Sequence, residues 1–224
     1  GGEVDAAVKV AHAGGPEVLA AFAREAAALR AIGAPATPTY LADGVLADGR
    51  PYLAMTRVPG ATLGDALAST PGPVALDEVA AWLTGVATAL IQVAAAGYVH
   101  GDLKPDNIVR DGDGLVRLID LGLARPLAAG PGAIAGTALY MAPEQLRGAA
   151  LTAAADVYAL GSVGFELATG RPPFVGDRAA VELGHLSFRA PRACTLRPVP
   201  AALDDMLATC LAKDPAQRPA AAAL

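Results

Sequence analysis

The segment His100-Gly101-Asp102-Leu103-Lys104-Pro105-Asp106-Asn107 constrains this chain more than any other. It sets a carboxylate, an ammonium and a carboxamide at intervals of two and three residues, directly after an apolar stretch. Ile108-Val109-Arg110 and Leu115-Val116-Arg117-Leu118-Ile119 then flank Asp111-Gly112-Asp113-Gly114, the turn chemistry of a β-hairpin. Pairing Arg110 with Leu115 puts Asn107 opposite Leu118 and Asp120 two residues further along, about 7 Å at strand rise. Both polar groups then leave the same open end, beside Asp102 and Lys104. A carboxylate and a carboxamide oxygen converging there suit a hard cation such as Mg²⁺ carrying a phosphate. The chemistry this points to is phosphoryl transfer.

These residues resemble the catalytic loop of the eukaryotic-like protein kinases, H-R-D-L-x-x-x-N, and Asp120-Leu121-Gly122 resembles their D-F-G. Eight residues of loop, a hairpin and a D-x-G in this order form a far more specific signal than a lone H-x-D. The resemblance is to the bacterial type of serine/threonine kinase catalytic domain. It implies an α+β fold of two lobes, a small β-rich lobe at residues 1–57 and a helical lobe at 58–224. It further implies ATP and Mg²⁺ as cofactors, with transfer of the γ-phosphate to Ser or Thr of a protein. Asp102 would orient and deprotonate the hydroxyl, Lys104 would contact the γ-phosphate, and Asn107 and Asp120 would hold the metal.

Composition bounds the alternatives. The chain of 224 residues is 54% hydrophobic, enough for one sizeable core or two small ones. A net charge of -5 with only 17% charged residues gives no basic footprint for nucleic acid or an anionic membrane surface. Cys194 and Cys210 are too few for a disulfide scaffold, so a reducing cytoplasm is the expected compartment. Gly1-Gly2-Glu3 carries no signal-peptide pattern. The alanine richness hints at a bacterial, GC-rich genome. Val79–Val99 is long enough to span a bilayer, but Thr84, Gly85, Thr88, Gln92 and Gly97 interrupt it. It reads as a buried helix with Asp77 as N-cap and Gly97 as its stop, and no membrane partner is expected for this segment.

Ahead of that helix, Val4–Val10 is a short apolar run containing Lys9, and a lysine near the end of a buried strand wants an anion. On the next helix, about residues 16–31, Phe22, Glu25 and Leu29 share one face, and Lys9 is the cation that a glutamate on that face needs. Ala6-Ala7-Val8-Lys9 resembles the kinase V-A-I-K, which implies phosphate contacts for Lys9, with Glu25 fixing it, and room for adenine at Ala7. Two strands follow around the Asp48-Gly49 turn, the second at 51–55. A capping box at Thr62 and Asp65 then opens a short helix. The segment between resembles the kinase hinge. The resemblance implies that Met55, Thr56 and Val58, with Val109 from the hairpin, line the adenine site.

After the hairpin, residues 123–136 are apolar and contain no Ser, Thr or Tyr. This stretch resembles an activation segment ending in Tyr140-Met141-Ala142-Pro143-Glu144. Many kinases clamp a phosphorylated residue there onto the arginine that precedes the catalytic aspartate. Here that position is Gly101. Both halves of the clamp are missing, so activity is expected not to need phosphorylation of residues 123–136. Lys104 and Thr137, which by resemblance bridges to Asp102, give the serine/threonine form of the pattern. A helix from Ala153 to Ala168 places Asp156 where it can cap the helix or accept amides of the catalytic loop. Glu144 is expected to pair with Arg218.

The glycine-rich loop of the family and its strands are absent from these 224 residues, and Leu224 falls just as a last helix should begin, so a small lobe without its first hairpin and a helical lobe with its last helix truncated are expected. The alternative is a catalytically impaired pseudokinase or scaffold of the same fold. Against it stands the full set Lys9, Glu25, Asp102, Asn107 and Asp120. An aminoglycoside-type small-molecule kinase is disfavoured by Lys104-Pro105 and Ala142-Pro143-Glu144.

Overall fold

The computed structural model describes residues 5–70, 72–127, 129–131 and 134–224. Val4 of the expected first strand, the start Gly1-Gly2-Glu3, and Ala128, Gly132 and Ala133 of the 123–136 stretch lie outside the described residues.

The chain opens with a three-stranded antiparallel sheet in the order β1-β3-β2, formed by β1 (Ala6–Val10), β2 (Tyr40–Val45) and β3 (Pro51–Thr56). The expected Asp48-Gly49 turn joins the last two, with Gly49 at φ 85°. Helix α1 (Pro16–Ile32) begins on proline, whose fixed φ suits a first helical position, and ends at Gly33, φ 65°. It lays Ala26, Ala28 and Leu29 on Leu53 of the central strand. Leu121 and Ala124, from beyond the hairpin, complete this small cluster. Leu121 thus does what the position asks of an apolar side chain, packing beneath the helix that carries Glu25.

Helix α2 (Leu63–Ser69) starts with the capping box as read, Asp65 N–H on Thr62 Oγ1 and Thr62 N–H on Asp65 Oδ2, both 3.0 Å. Helix α3 (Leu76–Ala95) corrects one expectation. Asp77 is not its N-cap; it lies inside the first turn, and Ala75 caps without a side-chain bond. Asp77 and Glu78 there offset the positive end of the helix dipole instead. Gly97, φ 81°, follows the C-cap Ala96. By length and composition α3 is the one described helix able to cross a membrane. In this fold its stripe Val79, Trp82, Leu83, Val86, Leu90 and Val93 is buried in the large cluster. Each such burial contributes about 1.5–3 kcal/mol.

The short strand β4 (Tyr98–Val99) leads into the catalytic loop, then β5 (Ile108–Arg110) and β6 (Val116–Leu118) form the hairpin, and β7 (Arg125–Pro126) returns to β4. Four helices follow: α4 (Pro143–Leu146), α5 (Ala153–Thr169), α6 (Arg178–Ser187) and α7 (Ala201–Cys210). Helix α5 is buried along nearly its whole length and packs Tyr158, Phe165 and Leu167 into the large cluster beside Leu207 of α7.

The hairpin register differs by one residue from the expected one. Arg110 pairs with Val116, not Leu115. The cause is Asp111, whose Oδ1 accepts the amides of Asp113 (3.1 Å) and Leu115 (2.9 Å). This Asx-type turn draws Leu115 into the loop closure. Asn107 therefore faces Ile119, whose N–H donates to the Asn107 carbonyl at 2.9 Å, and Asp120 is one residue beyond that partner instead of two.

Candidate active site

Lys9, the penultimate residue of the small lobe's edge strand β1, reaches toward α1. Its ammonium lies 3.0 and 2.9 Å from the two Glu25 oxygens and 2.9 Å from Asp120 Oδ1. Burial would pull the Lys9 pKa down, yet the hydrogen bonds to Asp120 and Glu25 outweigh it and leave it raised. Burial pushes the Glu25 carboxyl up, with Lys9 pulling the other way. Asp120 is held below the usual carboxylate range against partial burial, by the Lys9 hydrogen bond and charge. Three groups, the outer two 111 positions apart in the chain, thus form one charged knot at the mouth of the cleft.

The catalytic loop is fixed from beneath. The Asp156 carboxylate of α5 accepts His100 N–H at 2.8 Å and Gly101 N–H at 2.9 Å. It sits in the first turn of the helix, but both of its oxygens go to loop amides and Thr152 is the N-cap, so loop anchoring and not capping is its role. Burial pushes its carboxyl up. Gln145 Nε2 donates to Gly101 O at 2.8 Å, and the buried His100 ring reaches Ile119 O at 3.3 Å. Gly101 adopts φ 78°, and a Cβ there would stand 3.0 Å from Leu123 O. A glycine accommodates this close passage of the segment after Asp120.

Asp102 receives bonds on both oxygens. Thr137 N–H reaches Oδ1 at 3.1 Å, while Lys104 Nζ lies 2.9 Å and Asn107 Nδ2 3.3 Å from Oδ2. Lys104 also donates to Thr137 Oγ1 at 3.1 Å. Thr137 therefore contacts the aspartate through its amide, and its hydroxyl goes to the lysine. Gly136, φ 120°, would carry a Cβ 3.1 Å from Asp102 Oδ1, so the carboxylate approaches a backbone that only glycine leaves open.

A cleft of about 350 Å³ lies between the sheet and the hairpin. Ala7, Lys9, Glu25, Met55, Thr56, Val58, Val109 and Asp120 all line it, as do Pro38, Arg57 and Ile119. The structure thus brings every expected nucleotide residue to one cavity. Of the last three, Arg57 lies within the hinge-like stretch between Thr56 and Val58, whereas Ile119 and Pro38 were missed; Ile119 was signalled by its place beside Asp120, and Pro38 carried no signal of its own. Asp102, Lys104 and Asn107 stand outside the lining, on the loop below.

The donor set fits a divalent cation. Asn107 spends its amide nitrogen on Asp102, at 2.9 Å to the carbonyl, which leaves its oxygen as the free ligand atom. Asp120 commits Oδ1 to Lys9 and Gly122 N–H, leaving Oδ2 of a half-exposed carboxylate. One carboxylate plus one amide oxygen, with phosphate oxygens and waters to complete the shell, is a Mg²⁺-type site.

The C-terminal ion pair forms as expected. Arg218 Nη1 and Nη2 grip Glu144 at 2.6 and 2.8 Å, with the guanidinium fully buried. Tyr140 Oη donates to Glu166 Oε2 at 2.7 Å, a contact between distant segments that no local spacing announced.

A lysine–glutamate pair over an apolar cleft, set against an aspartate loop, is the layout of the kinase class. The family described as the protein kinase domain matches residues 7–224, and the chain belongs to that family. It is 38% identical over 214 residues, 92% of this chain, to the serine/threonine-protein kinase PknL of Mycobacterium tuberculosis. It is 35% identical over 217 residues, 95% of this chain, to the probable serine/threonine-protein kinase PkwA of Thermomonospora curvata. A third relative is the serine/threonine-protein kinase PknE of Mycobacterium tuberculosis, 36% identical over 176 residues, 76% of this chain. The matched region spans 53% of PknL, 28% of PkwA and 31% of PknE.

Proposed function

We propose that this chain is a protein serine/threonine kinase catalytic domain of the bacterial type, moving the γ-phosphate of ATP to a Ser or Thr hydroxyl of a protein. The observation that carries the proposal is the joint arrangement of Lys9, Glu25 and Asp120 on one side of the cleft and Asp102, Lys104 and Asn107 on the other. The names of the relatives support it. A pseudokinase has no use for that complete set.

In this reading the apolar walls from Ala7, Met55, Val58 and Val109 hold the adenine, and Thr56 to Val58 offer backbone groups to its edge. Lys9, fixed by Glu25, binds the α- and β-phosphates. Asn107 and Asp120 would hold Mg²⁺, which when bound would neutralise charge on the phosphate oxygens. Asp102 orients the acceptor hydroxyl and takes its proton as oxygen bonds to the γ-phosphorus, while the bond to the β-phosphate oxygen breaks and ADP leaves. Lys104 steadies the γ-phosphate oxygens. The proposal divides the chain at 57/58; most of each hydrophobic cluster falls on its own side of that boundary, with Ala36 in the large cluster and Leu121 and Ala124 in the small one crossing it. It places the domain in the cytoplasm, in keeping with two free cysteines. The absence of a basic footprint favours protein over nucleic-acid partners.

The test is Asp102→Asn in the whole protein, measured with Mg²⁺-ATP and a protein acceptor. Transfer should fall at least ~10²-fold, the low end for loss of a general base, with ATP binding largely kept. Unchanged turnover removes Asp102 from the mechanism.

A further inference from the structure

Away from the cleft, three polar side chains, two buried and one half-buried, form a chain with a direction. Lys213 Nζ donates to Tyr158 Oη at 3.1 Å and to Gly184 O at 3.0 Å. Tyr158 Oη lies 2.8 Å from His185 Nδ1, and His185 Nε2 lies 3.0 Å from Leu139 O. Tyr158 and His185 are fully buried. A carbonyl can only accept, so His185 carries its proton on Nε2. Its Nδ1 then accepts the Tyr158 hydroxyl proton, and the Tyr158 oxygen accepts from Lys213. Every donor has an acceptor in one sense only. The ring is held edge-on by Phe174 and Tyr158, with centroids 4.9 and 5.5 Å away.

The chain of bonds ends at a telling place. Leu139 is the middle residue of the 3₁₀ turn Ala138–Tyr140. Thr137, two residues earlier, gives its N–H to Asp102 Oδ1 and its hydroxyl oxygen to Lys104. The stretch 137–141 is therefore gripped by the catalytic loop at one point and by His185 at another. None of its residues lines the nucleotide cleft. A disturbance of this stretch reaches the protein acceptor beside Asp102 directly, and reaches ATP only at the γ-phosphate, through Lys104.

We propose that His185, backed by Tyr158 and Lys213, is a positioning residue that fixes the stretch Thr137–Met141 beside Asp102, so that its half-exposed part, Thr137–Leu139, meets the acceptor polypeptide. The inference rests on the kinase reading above. Three features set His185 apart from an ordinary core residue. It satisfies a backbone carbonyl of another segment, it draws its own second bond from a tyrosine, and that tyrosine is fixed by a lysine ammonium.

The experiment compares the wild-type whole protein with His185→Phe, which keeps an aromatic ring between Phe174 and Tyr158 but makes neither hydrogen bond. KM is measured separately for a protein acceptor and for ATP, and amide hydrogen exchange is followed at Thr137 and Tyr140. The acceptor KM should rise about fivefold, the worth of one net hydrogen bond, with the ATP KM unchanged. Exchange at Thr137 and Tyr140 should speed up by about the same factor or more. His185→Gln, whose amide can still donate to the Leu139 carbonyl, should restore both. Unaltered exchange over 137–141 in folded His185→Phe, or acceptor and ATP KM rising together, overturns the proposal. Should His185→Phe fail to fold, Tyr158→Phe, which removes only the hydroxyl, decides by the same two readouts. A wild type that transfers no phosphate refutes the kinase reading, and the exchange data still decide whether His185 positions the stretch.

Discussion

The Glu144–Arg218 pair supports a prediction in which one substitution changes sign with its background. Arg218 is fully buried and makes five bonds: two to Glu144, and one each to the carbonyls of Ala212 (2.8 Å), Ala154 (2.8 Å) and Lys213 (3.2 Å). Arg218→Met leaves the Glu144 carboxylate in the core with no cation, and breaking a buried pair from one side costs about 3–5 kcal/mol. At about 2–4 °C per kcal/mol for a chain of this size, the melting temperature should fall by roughly 6–20 °C. Glu144→Gln in the native background leaves the buried guanidinium without its anion but keeps a neutral acceptor and all three carbonyl bonds, so it should cost less than Arg218→Met, up to about 3 kcal/mol. In the Arg218→Met background the same change removes a stranded charge and should stabilise. The assay is urea unfolding of the four proteins as a double-mutant cycle, with coupling expected at 1 kcal/mol or more. Glu144→Gln that destabilises both backgrounds equally refutes the claim that the pair acts as a unit.

Three further outcomes follow from the structure. Burial, with help from the Lys213 charge, lowers the His185 pKa from its ordinary 6.5 to about 4. The unfolded chain then takes up the proton first, so stability is complete above about pH 6.5 and falls as pH drops toward 4, by on the order of 3 kcal/mol; thermal melts across this window should be flatter for His185→Phe, and equal slopes would count against it. Glu25→Gln weakens the hold on Lys9 and should raise the Kd for Mg²⁺-ATP roughly tenfold by calorimetry, the scale of one charge-assisted bond, whereas an unchanged Kd would detach Glu25 from nucleotide binding. Phosphate transfer should proceed with no phosphate on residues 123–136, and mass spectrometry finding phosphate on Thr137 with activity tracking it would overturn that expectation.

The candidate site was legible because its chemistry is written in side-chain types at fixed local spacing. Asp102, Lys104 and Asn107 fall within six residues, and Lys9 needed only a glutamate on the apolar face of the next helix. Two local readings failed where a side chain competed with backbone pattern. Asp111 turned inward to cap its own loop and moved the hairpin register by one. Asp77 sat two residues too deep for the N-cap because the helix already opens at Leu76, with Ala75 as its cap. The His185 network was invisible for a different reason. Its links span 27, 46 and 55 residues, and a lone histidine on an otherwise amphipathic helix gives no sign that a carbonyl from another segment will meet it.

The two hydrophobic clusters explain why the metal-binding candidates are sensitive to the relation between the lobes. Asn107 belongs to a loop rooted in the large cluster through Leu103, Ile108 and Asp156. Asp120 stands where the chain leaves that cluster, and its neighbour Leu121 is buried in the small one. Asp120 is the one non-glycine among the described residues with a positive φ, 60°. Such a conformation costs about 1–3 kcal/mol and persists only when its surroundings over-determine it. Here the restraints are the Lys9 hydrogen bond, which comes from the sheet, and the burial of Leu121 beneath α1. Both lie on the small-lobe side. Any motion that draws the sheet and α1 away from the hairpin therefore loosens Asp120 before it touches Asn107. The geometry of the pair, and with it the capacity to hold a cation, is set by how closely the small lobe sits on the loop.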